Sequence, residues 1–314
     1  MFDTIPLLSK HHTPLLFGGA SVSGEGGGYG FGDISKADSL SLLRHAFDRG
    51  IKVFDTAPIY GFGESERRIG AAFKDKREDV FIISKCGVTW HDTKRVNMTN
   101  DPQTTKKMIE QSLRDLGSDY IDLYMVHWPD AKTDIRKTLE VIAKAKIEGR
   151  IKHIGLCNSN RDEFEKASEI DTIECLQSQL NFFERDEIEN SIKIAREHKI
   201  PFMSWGTLDK GILTGRVKEK RLFDKSDCRS WAPWWKKSNK NWKIEKFKAI
   251  EEVLRANGHN GLELALHFNL NTQGVSHVLC GMKKQSDIDA AMKALENPIS
   301  QELLQELSQI IQES

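Results

Sequence analysis

Short apolar segments alternate with longer amphipathic segments along almost the whole chain. The apolar runs 14–17, 51–54, 80–84 and 120–126 have the length and composition of buried strands. The segments between them place apolar residues at helical spacing, and several end at a glycine such as Gly50. Apolar strands that alternate with helices are typical of a parallel sheet covered by helices.

The same alternation continues through the second half of the chain. Its predicted strands are 153–156, 173–177, 201–204 and 276–279. A long insertion follows the seventh strand, and helices are predicted at 186–198, 285–295 and 301–312. Eight strand–helix units without a low-complexity linker favour a closed α/β barrel over two domains. We therefore predict that residues 1–314 form a single (β/α)8 TIM barrel, with a long loop after strand 7 and extra helices near the C-terminus.

Three consecutive predicted strands each lead directly to an ionisable residue. These residues are Asp55, Lys85 and His127, and Tyr60 lies on the loop behind Asp55, before Ser65, which we expect to cap the next helix. Taken singly, Asp55 could be a turn former, Lys85 a solvated surface charge and His127 a structural histidine. The carboxyl ends of parallel barrel strands meet at one rim, where barrel enzymes place their active sites. The recurrence of ionisable residues at three consecutive strand ends therefore indicates one shared site.

Charge and cysteine content exclude several classes of function. Lysine plus arginine and aspartate plus glutamate both number 46, so no basic surface for nucleic acid or an anionic membrane is expected. The five cysteines are scattered without a C-x-x-C pair, which disfavours a zinc ribbon or a disulfide framework and indicates a reducing compartment. Residues 1–6 do not begin a secretory signal, no apolar run is long enough to span a bilayer, and no metalloprotease, esterase or P-loop motif is present. We expect a soluble, cytoplasmic protein without a metal.

The loop after the first strand is rich in glycine. Its glycines are Gly24, Gly26, Gly27, Gly28, Gly30 and Gly32. No G-x-G-x-x-G register fits them, so we exclude a Rossmann dinucleotide fingerprint. The loop is either an exposed surface loop or a loop that closes on a ligand.

Several motifs together resemble the aldo-keto reductase family, in the expected order and spacing over nearly the whole chain. The residues that carry the resemblance are 54–66, Lys85, His127, 155–158, Gln179 and 205–215. The resemblance implies an oxidoreductase that reduces an aldehyde or a ketone to the alcohol by hydride transfer from NADPH. It also leaves one alternative open, since some relatives of this fold bind nicotinamide nucleotides chiefly as regulatory subunits with little turnover.

The resemblance assigns a role to each member of the tetrad. Tyr60 becomes the general acid of reduction, although a phenol with a pKa near 10 is a poor acid unless a neighbouring cation makes its anion accessible. Lys85 can supply that cation, and Asp55 can hold Lys85 charged and oriented. His127 can donate a hydrogen bond to the carbonyl oxygen or relay the proton.

Cofactor-binding residues follow from the same resemblance. They are Gly19, Ala20, Asn158, Gln179, Trp205, Gly206, Leu208, Gly211, Gly281, Lys283 and Asp287. The amides of Asn158 and Gln179 suit a nicotinamide carboxamide, and Trp205 suits stacking on the ring; read from the residues alone, they would be capping amides and a core aromatic. Cys157 stands where the family usually has serine, and Thr207 where it usually has proline.

The last unit bears on the choice between the two dinucleotides. Gly281 to Lys283 resembles the turn in which a basic residue meets the 2′-phosphate, so Lys283 and Lys284 favour NADPH, with NAD as the alternative. Asp287 stands where glutamine is commoner, and it would repel a phosphate if it faced one.

Substrate choice is the least readable property of the sequence. Trp90 and Trp128, just past Lys85 and His127, are the candidate pocket walls. The aromatic insertion at 229–236 either stacks on a sugar or ring, or anchors its loop to the barrel. The partner we expect is a small carbonyl compound; its identity, the working direction and the oligomeric state stay open.

Overall fold

The computed structural model describes residues 13–24, 29–93 and 95–313. Eight parallel strands close into a barrel in which the first strand pairs with the second and the last. The strands are β1 Leu15–Gly18, β2 Val53–Asp55, β3 Phe81–Cys86, β4 Ile121–Val126, β5 Ile151–Cys157, β6 Cys175–Gln179, β7 Phe202–Trp205 and β8 Val275–Cys280. The predicted (β/α)8 architecture is confirmed. Residues 1–6, which were not predicted to begin a secretory signal, and three glycines of the first loop, Gly26 to Gly28, lie outside the described residues.

Helices surround the barrel and connect its strands. They are α1 Lys36–Asp48, α2 Glu64–Ala72, α3 Pro102–Leu116, α4 Ile135–Ile147, α5 Arg161–Ser168, α6 Ser191–Glu197, α7 Pro233–Lys237, α8 Lys240–Ala256, α9 Gly261–Asn271, α10 Gln285–Leu295 and α11 Gln301–Glu313. The long loop after β7 and the final helix are present as predicted. None of the described helices is long and apolar enough to cross a membrane.

Two local predictions were wrong, each because another contact took precedence over local sequence preference. Helix α2 begins after Gly63, which has a left-handed φ of 86°, and not after Ser65. The Ser65 hydroxyl instead donates a 2.9 Å hydrogen bond to the Gly19 carbonyl, which fixes the first loop against α2. The expected helix 186–198 is broken at Asn190, whose φ and ψ of −112° and −107° are not helical.

One apolar cluster fills the inside of the barrel. From β2 to β8 its members occupy odd-numbered positions, namely Val53, Phe81, Ile83, Leu123, Met125, Cys157, Cys175, Met203 and Leu279. Because side chains alternate along a strand, the next odd positions toward the carboxyl ends face the same interior. Those positions are Asp55, Lys85, His127 and Gln177. A polar layer therefore lies directly above the apolar one.

A short hairpin, not predicted from the sequence, extends the rim beyond β3. Val88–Trp90 pairs antiparallel with Val96–Met98. The hairpin brings the Trp90 ring to 5.1 Å from the ring of Phe62, measured between centroids. It therefore packs beside the loop that carries Tyr60.

Candidate active site

A buried ion pair lies at the centre of the polar layer. The Lys85 ammonium donates to both carboxylate oxygens of Asp55 at 2.7 Å and to the Thr56 carbonyl at 2.9 Å. Only 1% of Lys85 and 2% of Asp55 is exposed. Burial alone would lower the pKa of Lys85, but Asp55 and then Tyr60 oppose it and hold that pKa above its ordinary value. Lys85 is therefore a fixed cation at neutral pH.

Tyr60 is placed over this pair by a tight loop. The Tyr60 amide donates to the Ala57 carbonyl at 3.0 Å, and the Tyr60 carbonyl accepts from the Ser65 amide at 3.1 Å. Gly61 follows with φ of 66°, and a Cβ there would lie 1.9 Å from the Ser23 carbonyl oxygen, so only glycine fits. The Lys85 nitrogen lies 5.6 Å from the centroid of the Tyr60 ring.

Burial and the Lys85 charge shift the pKa of Tyr60 in opposite directions. Burial raises the pKa of Tyr60 to about 12, and the lowering by Lys85 only partly offsets that rise. Lys85 lowers the pKa of Tyr60, as expected of a neighbouring cation, but desolvation by burial is the larger effect. Tyr60 carries its proton at neutral pH, which is the form a general acid needs.

His127 completes the tetrad beside Tyr60. Its ring lies 5.9 Å from the Tyr60 ring, and the two planes are perpendicular. Burial, and then the charge of Lys85, hold the pKa of His127 well below its ordinary value. The imidazole is therefore neutral at physiological pH and can donate one hydrogen bond without adding charge. All four predicted catalytic residues are brought together at one rim.

Two of the predicted cofactor residues form a polar and aromatic surface beside the tetrad. The Asn158 amide nitrogen donates to the His127 carbonyl at 2.9 Å, and its oxygen accepts from the Trp205 indole at 3.0 Å. Asn158 has φ of 50°, a left-handed conformation that turns its side chain across the rim. Both side chains are partly exposed. An amide next to an accessible indole suits a flat, uncharged ring that bears a carboxamide, so this donor set fits a nicotinamide.

The sequence analysis missed Gln177. Its amide nitrogen donates to Asp55 at 2.9 Å, its oxygen lies 3.5 Å from the Cys157 thiol, and the residue is 2% exposed. The predicted Gln179 ends β6 and lies partly exposed beside Gly206. Strand alternation could have revealed Gln177, because it faces inward two positions before Gln179.

The remaining predicted residues of the nicotinamide end lie on the loops after β1 and β7. Gly19 begins the 3-10 turn Gly19–Val22, and its missing side chain lets the backbone approach Asp55, whose carbonyl would lie 2.6 Å from a Cβ. Ala20 lies on the same turn. The Gly206 carbonyl accepts from Asn181 at 3.1 Å. Leu208 and Gly211 follow along the β7 loop, where Gly211 has φ of 97°.

The predicted adenosine end lies between β8 and α10. The Lys283 ammonium donates to the carbonyls of Phe31, Gly32 and Asp33 at 3.1, 2.6 and 2.9 Å. Burial lowers the pKa of Lys283. One Asp287 oxygen accepts from the Lys283 and Lys284 amides, each at 3.2 Å. Gly281 is exposed at the end of β8.

Aromatic side chains surround the tetrad. The side chains packed on Ala57, Ile59 and Val88 are Tyr29, Tyr60, Phe62, Trp90, Val96 and Trp128, so both predicted pocket tryptophans are near the tyrosine. Two tryptophans of the insertion differ in burial. Trp235 is 4% exposed and packs inward, whereas Trp231 is 42% exposed, with its ring centroid 5.6 Å from that of Tyr29.

Comparison with known proteins agrees with this geometry. The model of the Aldo/keto reductase family matches residues 14–312. Aldo-keto reductase YhdN of Bacillus subtilis is 31% identical over 267 residues, which cover 84% of this chain and 80% of that protein. The NADP(+) aldo-keto reductase yakc of Schizosaccharomyces pombe is 29% identical over 284 residues, with coverage of 88% and 83%.

A third relative and a solved structure extend the comparison. The NADH-specific methylglyoxal reductase of Escherichia coli is 30% identical over 224 residues, which cover 67% of this chain and 66% of that protein. The structure of the glycerol dehydrogenase AKR11B4 from Gluconobacter oxydans has a TM-score of 0.83 at 26% identity and covers 96% of this chain and 92% of that chain. Matches of this extent show that the chain belongs to the aldo/keto reductase family of NAD(P)H-dependent oxidoreductases.

Proposed function

We propose that this chain reduces an aldehyde or a ketone to the alcohol, with Tyr60 as the general acid. The observation that carries the proposal is the buried Lys85 cation, held by Asp55 at 2.7 Å and lying below the protonated Tyr60. The nicotinamide, when bound, supplies the hydride. Every other contribution in the proposed mechanism comes from side chains of this chain.

The tetrad divides the chemistry between proton supply and charge stabilisation. As negative charge develops on the carbonyl oxygen, Tyr60 gives its proton to that oxygen and becomes a phenolate. Lys85 stabilises this phenolate. The cation therefore contributes after the proton has left, although burial keeps the pKa of the resting tyrosine high. Neutral His127 donates a hydrogen bond to the same oxygen, and Asp55 keeps the Lys85 ammonium in position.

The aromatic walls support a carbonyl substrate that carries a ring or a sugar. Trp90 and Trp128 pack on the same small cluster as Tyr60, so a flat or ring-shaped group beside the carbonyl would lie against indole faces. Lys283 and Lys284 support NADPH as the donor, with NADH as the alternative, and relatives of both kinds are known. The five unpaired, buried cysteines support a reducing, cytoplasmic location.

The test is oxidation of NADPH and NADH, followed by nicotinamide absorbance, against aromatic aldehydes, α-dicarbonyls, aldoses and pyridoxal. Tyr60→Phe should lower turnover by at least about a thousandfold while the dissociation constant of the dinucleotide changes less than about twofold. Tyr120→Phe is the matched control, because Tyr120 precedes β4 and so lies at the opposite end of that strand from His127. A Tyr60→Phe variant with full activity would remove Tyr60 from this role.

The regulatory alternative predicts a different result from the same measurements. It requires tight dinucleotide binding with no turnover across the whole panel, in the unsubstituted protein as in Tyr60→Phe. The relatives found are named as reductases and dehydrogenases and give this alternative no support.

A further inference from the structure

The loops after β7 and β8 meet at the start of α10, where Arg216 contacts Asp287. In barrel enzymes, these two loops and the N-terminus of a nearby helix commonly form a phosphate site. Backbone N–H groups at the start of a helix point outward and favour an anion. The start of α10 is therefore where a phosphate on the adenosine ribose would be expected to bind.

In this chain, a carboxylate already occupies that position. One oxygen of Asp287 accepts hydrogen bonds from the backbone N–H groups of Lys283 and Lys284, each at 3.2 Å. The other oxygen accepts from the Arg216 guanidinium at 2.8 Å. Arg216 comes from the β7 loop, so Asp287 uses donors from both loops that frame the site.

The lysine that would otherwise attract a phosphate is also engaged. Lys283 directs its ammonium away from the start of α10, to the carbonyls of Phe31, Gly32 and Asp33. An ammonium has three donors, and here all three are used by these carbonyls. A 2′-phosphate would thus have to displace the Asp287 carboxylate and draw Lys283 from the first loop.

We propose that Asp287 is a specificity residue of the cofactor site: its carboxylate takes the N–H groups and the guanidinium that a 2′-phosphate would use, and so weakens NADPH relative to NADH. The proposal rests on the proposed function only in that the adenosine end of the dinucleotide lies at α10. A 2′-hydroxyl carries no charge and can donate a hydrogen bond to the carboxylate, whereas a phosphate is repelled by it. Asp287 thereby counteracts the preference for NADPH that Lys283 and Lys284 would otherwise confer.

The experiment measures dissociation constants of NADPH and NADH by titration calorimetry for the unsubstituted protein and for Asp287→Asn. Asparagine keeps an acceptor for the Lys283 and Lys284 amides but removes the charge. We expect NADPH to bind about tenfold more tightly in the variant, with NADH changed less than about twofold. An equal change for both dinucleotides, or weaker NADPH binding, would overturn the proposal.

A matched control lies two residues further along the same helix. The Asp289 side chain is 48% exposed and pairs with His45 on α1 and with Arg49, the residue that follows α1. Asp289→Asn removes the same charge and should leave the ratio of the two dissociation constants unchanged. If it shifts that ratio as much as Asp287→Asn does, general charge is the cause and the proposal fails.

A second pair of ligands separates this proposal from the reductase chemistry. Adenosine 2′,5′-bisphosphate and 5′-AMP differ only in the 2′-phosphate and carry no nicotinamide. Asp287→Asn should tighten the bisphosphate about tenfold and leave 5′-AMP unchanged, whether or not the protein turns over a carbonyl. An unchanged bisphosphate affinity would overturn the role of Asp287, whereas absent turnover alone would overturn only the proposed function.

Discussion

Glu66 is a buried carboxyl group outside the active site, and its replacement should stabilise the protein. It lies on α2 with no exposed surface, facing β3 and α3. One oxygen accepts a 2.7 Å hydrogen bond from the Ser84 hydroxyl, while the other is buried without a partner. Burial raises the pKa of Glu66 from 4.5 to about 7, although the hydrogen bond from the Ser84 hydroxyl opposes the rise.

The direction and size of the effect follow from proton linkage. The folded-state pKa of Glu66 exceeds the unfolded value, and both states hold the proton well below pH 4.5. Between about pH 4.5 and 7 the unfolded state loses the proton first, so the stability that the proton contributes falls and is gone once the pH has risen through about 7. Above that pH the folded protein carries a buried charge that costs about 3 kcal/mol. Glu66→Gln removes this cost, so the variant should gain up to about 3 kcal/mol at pH 8 and almost nothing at pH 4.5.

Urea unfolding of the two proteins between about pH 4.5 and pH 8 measures the difference in unfolding free energy directly. Glu140→Gln on the exposed side of α4 is the control, and its effect should stay within about 0.5 kcal/mol at every pH. A Glu66→Gln difference that does not grow with pH, or a variant less stable at pH 8, would refute the argument that the buried carboxylate destabilises the folded state.

Three further outcomes are expected from the site. Because the pKa of Tyr60 is about 12, the rate of reduction should not fall through loss of the acid form between pH 7 and 10. The rate of alcohol oxidation, which needs the phenolate, should rise about tenfold per pH unit over the same range. An inflection in the rate of reduction near pH 7 would contradict this. Lys85→Met leaves the Asp55 carboxylate buried, with Gln177 as a side-chain donor, and should lower the unfolding free energy by about 3–5 kcal/mol. Adding Asp55→Asn to this variant should restore part of the loss, and urea unfolding measures both effects. Gly61→Ala should abolish turnover and lower the melting temperature, since its Cβ would lie 1.9 Å from the Ser23 carbonyl oxygen; near-normal kinetics would show that the loop can relax.

The barrel and the tetrad were predictable because both follow from strand periodicity. Apolar runs identified the strands, and the first polar residue after each run identified Asp55, Lys85 and His127. Features that depend on contacts between distant segments were not predictable. Ser65 looked like a helix cap but binds Gly19, 46 residues earlier in the chain.

Gln177 and Asp287 illustrate the same limit within the site. The sequence marked a glutamine at the end of β6, but only the folded barrel shows that the inner one, Gln177, reaches Asp55 across 122 residues. The sequence likewise left open where Asp287 points. Besides the neighbouring amides, its carboxylate is held by Arg216, which comes from a different loop 71 residues away.

The position of the tetrad explains why its four groups take the protonation states that reduction needs. The polar layer continues the inward positions of an apolar core, so the Lys85 charge must be balanced within the protein, and Asp55 does so at 2.7 Å. With that pair fixed, the nearest titratable neighbours are kept neutral: His127 by burial and the lysine charge, and Tyr60 by burial. The site thus presents no net charge to an uncharged carbonyl group, and it offers a proton on Tyr60 together with a cation ready to stabilise the phenolate once that proton has left.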